Sequence, residues 1–513
     1  MIAGRLAAYS HPAEFNVAAV LHLAKPLRNR PCVCDETQRP MEGALNWAIL
    51  LRFNDGIEWV SRSPKTKYAV GGKTARELLA SEAATLKYIR SKTNIPLPEV
   101  FSYCATSENA TGVPYILMSK AAGHQLSEYN WHTSPTTSTA PGRHMKLTEK
   151  RKVMNQLGSF ASQLSHLKND TIGSLFENEG IEFNIGACLS PSFILQGRET
   201  DYYLSLVSIL LAHCEHLDMG HHVLFAPVPC PQEYSDFAKY YVAQQRWNDY
   251  IAAGSKAESS QNRHHYSLVG IFIRDWVIPR LNGQEDGFSL CHHDLSTQNI
   301  FVDDELNITC IIDWAFCSTV PYSQLLCTPG LPHQRDLVER VCHGGSFRGA
   351  FAAECSRTQS IQPSERNWKT SDILSYMKRL VTLDSLQDLH HLEELYQRTA
   401  GSAENGCIQA TLKSISAVSE ARLLLATLAE DDEPENEVIS QENKYFSSVG
   451  EERRGLAKYI KFVSQFNPSF AADKRLWRWI DASGRLPRFH PFKPPQTLDA
   501  IDQQTATAGE RVR

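Results

Sequence analysis

The chain lacks any apolar run approaching the length of a membrane span. Its longest apolar blocks, such as Val207-Ser208-Ile209-Leu210-Leu211-Ala212, are of the size that fills a core. It lacks an excess of basic charge as well. A formal net charge of -5 removes any general attraction to nucleic acid or to an anionic membrane. It lacks a cysteine framework: the thirteen cysteines are odd in number and scattered. Only Cys32-Val33-Cys34 is close-spaced and no CxxC pair repeats, which argues against a zinc site or a disulfide scaffold and for a reducing compartment. There are no internal repeats. Met1 to Ala24 is mildly apolar, but Glu14, His11 and His22 interrupt it, so it does not read as a secretory signal. The expected location is the cytoplasm, with a mitochondrial address as the alternative. Finally, no GxGxxG is present. Gly43-Ala44-Leu45-Asn46 carries the single glycine where a phosphate-covering loop would open.

What is present is an ordinary globular composition, 42% hydrophobic and 21% charged, over 513 residues, enough for two or more lobes. One stretch stands out: Leu290-Cys291-His292-His293-Asp294-Leu295-Ser296-Thr297-Gln298-Asn299-Ile300-Phe301-Val302, followed by Ile311-Ile312-Asp313-Trp314. It reads as strand, polar loop, strand, turn, strand, carboxylate. The apolar runs Ile300 to Val302 and Ile308 to Ile312 flank the polar turn at 303–307. A hairpin centred near Leu306 sets Asn299 opposite Asp313. An amide oxygen beside a carboxylate suits a hard divalent cation, and Asp294 on the loop before them suits a general base.

Upstream, Ala48 to Phe53 and Ile57 to Arg62 read as strands joined at Asn54-Asp55-Gly56, a hairpin turn. Alternation puts Val60 and Arg62 on one face. Thr74 to Lys92 reads as a helix with Leu78, Leu79, Glu82, Leu86 and Ile89 on one stripe. Glu82 is the anomaly there, because a buried carboxylate needs a partner. Arg62 is the candidate; a solvated Glu82 at the stripe edge is the alternative. Asn94-Ile95-Pro96-Leu97-Pro98 ends the helix. Strands follow at Glu99 to Tyr103 and Tyr115 to Met118, and Ser119 to Gly123 reads as a flexible connector. Helices are expected at Thr148 to Lys168, Tyr202 to Cys214, Glu233 to Ala252 and Tyr266 to Leu281, and over most of the chain from Trp314 to about Asp481. The 133–143 stretch is a polar surface loop and 430–437 an acidic breaker.

His292-His293-Asp294, four residues, Asn299, then Ile311-Ile312-Asp313-Trp314 resembles the signature of the aminoglycoside phosphotransferase family, part of the protein-kinase-like superfamily. Trp59-Val60-Ser61-Arg62 and Glu82 follow in the order of that superfamily's basic strand residue and helix glutamate. Ile95 to Val100 and Ile172 to Phe176 look like segments of fungal members. The resemblance covers roughly residues 43 to 330. It implies an α+β, two-lobed fold with a small antiparallel sheet lobe and a large helical lobe. The expected layout is an extension over 1–40, an N-lobe over 41–120, a C-lobe over 121–490 holding the catalytic loop at 290–314 and a helical extension from about 331, and a disordered tail over 491–513.

The resemblance further implies an ATP-dependent kinase acting on a hydroxyl of a small molecule. Asp294 would be the catalytic base, and Asn299 and Asp313 would hold Mg²⁺ against the nucleotide phosphates. Arg62 would touch those phosphates and pair with Glu82. Val60 would pack on the adenine, the backbone from Ser119 to Ala121 would meet its edge, and Gly43 would cover the phosphates. Phosphoryl transfer asks mainly for positioning and charge neutralisation, which this set supplies.

The chain departs from the pattern in three places. Arg62 stands where lysine is usual, and its fork has a different reach. His293 replaces a glycine, so its side chain either crowds the loop, contacts the acceptor or simply packs. The glycine loop is thin. Arg62 and that loop favour a second reading, a non-catalytic scaffold module; the intact Asp294, Asn299 and Asp313 favour the enzyme. A third, a metal hydrolase built on His292, His293 and Asp294, is weak, because adjacent histidines on a loop rarely chelate one ion. Neither a nucleic-acid partner nor a membrane span is expected.

Overall fold

The computed structural model describes residues 15–35, 40–42, 46–64, 72–131, 143–178, 182–189, 192–193, 197–216, 260–281, 287–332, 341–381, 390–400 and 407–430, with 436. The helix expected over Glu233 to Ala252, the loop at 133–142, the acidic breaker at 431–435 and everything from 437 onward lie outside these residues.

A helix α1 (Val17–Arg28) leads into β1 (Cys32–Cys34), β2 (Met41–Glu42), β3 (Asn46–Phe53), β4 (Glu58–Pro64), α2 (Gly72–Lys92), β5 (Val100–Cys104) and β6 (Tyr115–Ser119). The strands form one antiparallel sheet in the order β1-β3-β4-β6-β5, with β2 also paired on β3. Strict alternation on β4 buries Trp59, Ser61 and Ser63 on one face and leaves Val60 and Arg62 half-buried on the other. The Trp59 face packs with Trp47, Ile49, Leu51 and Phe53 against Val20 and Ala24 of α1, so this helix closes the back of the sheet. The stretch ahead of residue 41 therefore holds a helix and a strand that belong to the sheet lobe. Its apolar spacing is interrupted by polar residues and by Pro26 within the helix, which hid it from a reading by periodicity.

The connector after β6 reaches β7 (His124–Gln125), which pairs with β14 (Ile300–Val302) of the hairpin that runs from Asn299 to Asp313. Gly123 makes the passage at φ +83°, and a Cβ there would meet the Val302 carbonyl oxygen at 2.2 Å. Only glycine fits both conditions.

The second lobe begins with α3 (Leu147–Ser165), β8 (Lys168–Asn169), β9 (Ser174–Asn178), β10 (Glu182–Gly186), β11 (Cys188–Leu189), β12 (Ser192–Phe193), α4 (Glu199–His216) and α5 (Ser260–Phe272). It continues through β13 (Phe288–Cys291), β14, β15 (Ile308–Ile311), β16 (Ser318–Pro321) and α6 (Tyr322–Leu325) to α7 (Val341–Thr358), α8 (Glu365–Val381), α9 (His390–Thr399), α10 (Ile408–Ser416) and α11 (Ser419–Glu430). The α5 helix runs on through a π turn (Ile273–Val277) and a 3-10 turn (Ile278–Arg280), where one regular helix is expected. A single apolar core joins Leu86 and Ile89 of α2 to α3, α5, the β14–β15 hairpin and α7–α9. The described residues thus form a small antiparallel sheet lobe and a mainly helical lobe, an α+β arrangement in two parts. Among the described residues no helix is long and apolar enough to cross a membrane.

Candidate active site

The site is assembled from two distant pieces of chain. From the sheet lobe comes Arg62. Its Nη2 donates to the carboxylate of Glu82 on α2, and its Nη1 donates to Asp313 Oδ1 at 3.5 Å. Glu82 is 2% exposed and the Arg62 side chain 14%, so the charge that is expensive to bury has its partner. Burial pushes the Arg62 guanidinium below its ordinary range and the Asp313 carboxylate opposes that. Of the two readings of Glu82, the structure takes the paired one.

From the helical lobe come Asp294, Asn299 and Asp313. The hairpin pairs Ile300 with Ile311 and Phe301 with Cys310, then shifts register before Val302, which pairs with Ile308. The irregularity moves the register by one. Asn299 accepts at its carbonyl oxygen from Ile312 N–H at 2.9 Å, so Asn299 faces Ile312 where the turn-centred reading expects Asp313. The chain then leaves the strand with Asp313 at φ +65°, a left-handed conformation that a residue with a side chain adopts only under constraint. Trp314 fixes that bend: it is buried, and its Nε1 donates to the Ile311 carbonyl oxygen at 3.0 Å. Asn299 Nδ2 donates to the Asp294 backbone oxygen at 2.7 Å and to Asp294 Oδ2 at 3.3 Å. This commits the amide nitrogen and leaves Asn299 Oδ1 as the atom a cation would meet.

The two histidines diverge. His292 donates from Nε2 to the Ile312 carbonyl oxygen at 2.9 Å and accepts the Asp294 N–H at Nδ1, 3.2 Å away. Its ring stands edge-on to Trp314 at 4.6 Å. It is a strut that joins the Asp294 turn to the Asp313 turn, and burial lowers its basicity. His293 points the other way, with Nε2 at 2.7 Å from Ser318 Oγ. It is buried, and burial, Lys378 and His292 bring its pKa down to about 3. Both imidazoles are thus engaged with the scaffold.

The remaining expected positions are more scattered. Val60 lies on the Arg62 face, paired with Leu50 and Met118. The Ser119 N–H donates to Glu99 O at 2.9 Å and its hydroxyl accepts from Glu99 N–H, while Lys120 N–H donates to Glu58 O at 3.2 Å. Ala121 follows as the first connector residue with no such bond among the described residues. Gly43 lies outside the described residues.

Lys378, on α8, was not visible as a site residue. Burial holds its ammonium below the usual lysine range, and Asp294 is among the groups that oppose this. It lines a cavity of about 90 Å³ behind the loop with His292, Leu295 and Trp314, a space that neither Asp294 nor Asp313 lines. No local motif surrounds it in a segment that reads simply as helix.

A divalent cation fits this donor set. An amide oxygen and one carboxylate, both hard ligands, sit at the hairpin end, and Mg²⁺ usually takes only one or two protein ligands beside phosphates and water. Among the described residues no group of three or more His, Cys, Asp or Glu side chains could hold a metal ion.

No family model matches the chain. A curated relative, a subtelomeric hrmA-associated cluster protein of Aspergillus fumigatus, is 27% identical over 319 residues, which is 56% of this chain. The chain spans 58% of that relative's length. Solved structures that match it include small-molecule phosphotransferases. The macrolide 2'-phosphotransferase of Brachybacterium faecium is 15% identical, with 82% of this chain and 100% of that one covered and a TM-score of 0.36. A spectinomycin phosphotransferase bound to ADP and spectinomycin is 11% identical, with 80% and 97% covered and a TM-score of 0.32.

Proposed function

We propose that the chain is a Mg²⁺-dependent phosphotransferase that moves the γ-phosphoryl group of ATP to a hydroxyl of a small molecule. The observation that carries this reading is the Arg62 guanidinium, placed between Glu82 of the sheet lobe and Asp313 of the hairpin. A buried cation shared by two carboxylates from opposite lobes is costly to build. It stands where a nucleotide's phosphates would need charge neutralisation.

The roles follow from the chemistry of each group. Asp294 accepts the proton of the attacking hydroxyl; its carboxylate is oriented by the Asn299 amide. Asn299 Oδ1 and Asp313 would hold Mg²⁺, which when bound would supply charge neutralisation to the nucleotide phosphates. Arg62 donates to the phosphate oxygens from a guanidinium that Glu82 holds in place. Val60 packs on the adenine ring, and the backbone of the Ser119 to Ala121 connector meets its edge, with Ala121 best placed because its two predecessors spend their N–H groups on Glu99 and Glu58. The acceptor class is a hydroxylated metabolite.

A thermal-shift and calorimetric screen with ATP, with and without Mg²⁺, followed by a panel of hydroxylated metabolites, tests the proposal. Binding that requires Mg²⁺ and transfer to one acceptor class support it. Absence of binding of any Mg²⁺-nucleotide would leave the scaffold reading in its place.

A further inference from the structure

The hairpin β9–β10 plays no part in the chemistry above, yet it spans the two lobes. At its base, Gly173 N–H donates to Thr319 Oγ1 at 2.9 Å and Thr319 N–H donates to the Gly173 carbonyl oxygen at 2.9 Å. Thr319 lies on β16, six residues after Asp313, so the hairpin is tied to the strand that leaves the metal-binding turn. A Cβ at Gly173 would meet the Gly186 carbonyl oxygen at 1.9 Å, so this close crossing needs glycine.

The body of the hairpin is tied to the sheet lobe. Glu177, whose side chain is 6% exposed, accepts from Lys87 Nζ of α2 at 2.7 Å and from Tyr103 Oη of β5 at 3.2 Å. Lys87 lies over the Tyr103 ring at 4.9 Å, and the Tyr88 and Phe183 rings pack at 5.2 Å. A small apolar cluster closes the gap: Leu78 of α2 meets Leu189, Phe316 and Phe176. Phe316 follows Asp313 by three residues. The helix that carries Glu82 is therefore tied down on either side of Glu82, at Leu78 to Phe316 of the segment after Asp313 and at Lys87 to Glu177 of β9.

Resting on the kinase reading above, we propose that β9–β10 is an interlobe strut that holds α2 inward, and that Glu177 is a positioning residue for the Arg62–Glu82 pair. Glu177 touches neither phosphate nor metal. It acts through Lys87 and Tyr103, which fix the rotation of α2 and hence the place of the Glu82 carboxylate one turn away. Because the strut is covalently part of the helical lobe, the inward position of α2 is built in and needs no activating partner.

The test compares wild type, Glu177→Ala, Glu177→Gln and the charge swap Lys87→Glu with Glu177→Lys. Two readouts are taken on the full chain: the Mg²⁺·ADP dissociation constant, and amide exchange over residues 72–92. Glu177→Ala is expected to weaken Mg²⁺·ADP about tenfold, within the range for linked sites, and to raise exchange across 72–92 while α3 and α5 stay protected. Glu177→Gln, which keeps an acceptor, and the charge swap are expected to recover most of both. Unchanged affinity and exchange in a folded Glu177→Ala would overturn the proposal, as would loss of protection spread evenly over both lobes. If wild type binds no nucleotide the kinase reading fails, and the strut is then decided by the exchange of 72–92 alone.

Discussion

Strand β4 and the loop from Asp294 to Asp313 deliver the two halves of one site by opposite means. On β4, period-two alternation aims Arg62 at Glu82 and Asp313, with Trp59 and Ser61 facing the other way. Nothing about that strand is irregular. The loop, in contrast, departs from regularity wherever it carries a functional side chain: a register shift ahead of Val302, a left-handed Asp313 and a histidine bridging the two turns. The cation needs only the right face of a rigid element. The oxygen ligands must converge on one point, and no regular strand brings three neighbouring oxygens together. The irregular half should therefore be sensitive in its chemistry and the regular half in its stability.

The largest effect should come from the loop. Asp294→Ala is expected to lower transfer by about 10³-fold or more, with Mg²⁺·ATP binding and the fold retained; single-turnover transfer measures it. Arg62→Ala should chiefly cost stability, about 3 kcal/mol, because it strands Glu82 in a buried site. Urea unfolding reads this, and Glu82→Gln in the same background should restore part of it. Asp313→Ala should abolish the Mg²⁺ dependence of nucleotide binding with a smaller change in stability, read by calorimetry with and without the metal. Relief of the left-handed strain is not expected from that change, since alanine is no better suited to φ +65°.

A smaller effect separates the two histidines from Asp294 and Asp313. His293 titrates at about 3 when folded, against about 6.5 in an unfolded chain, and burial lowers His292 in the same direction. The unfolded chain binds these protons first, so the stability they contribute is complete above about pH 6.5 and is lost as pH falls below it, at no more than about 1.4 kcal/mol per pH unit for each ring. The thermal midpoint should fall from pH 7 to pH 5, and His293→Gln should flatten that slope. An unchanged slope in the variant would remove His293 from the account.

Much of this was legible in the residues. The Asp-Gly turn and the alternation beside it gave β3, β4 and the facing of Arg62, and a carboxylate in an apolar stripe pointed to its partner because burial of a lone charge is so unfavourable. The hairpin was legible to within one residue: Val302 faces Ile308, so the turn centres on Glu305 where Leu306 is expected, and the register shift beyond Val302 recovers half of that offset. The α1 helix was missed because it buries little more than Val20 and Ala24. The divergence of His292 and His293 was open until their partners, Ile312 and Ser318, came into view from later strands. Lys378 approaches Asp294 only through tertiary packing of α8, which no local pattern announces.

Calorimetric titration of ATP into the full chain, with Mg²⁺ and then with a chelator, tests the central claim most directly. Saturable binding that needs Mg²⁺ and disappears in Asp313→Ala is the predicted result. Binding indifferent to Mg²⁺ and to Asp313, or no binding at all, would contradict the assignment of this site to phosphoryl transfer.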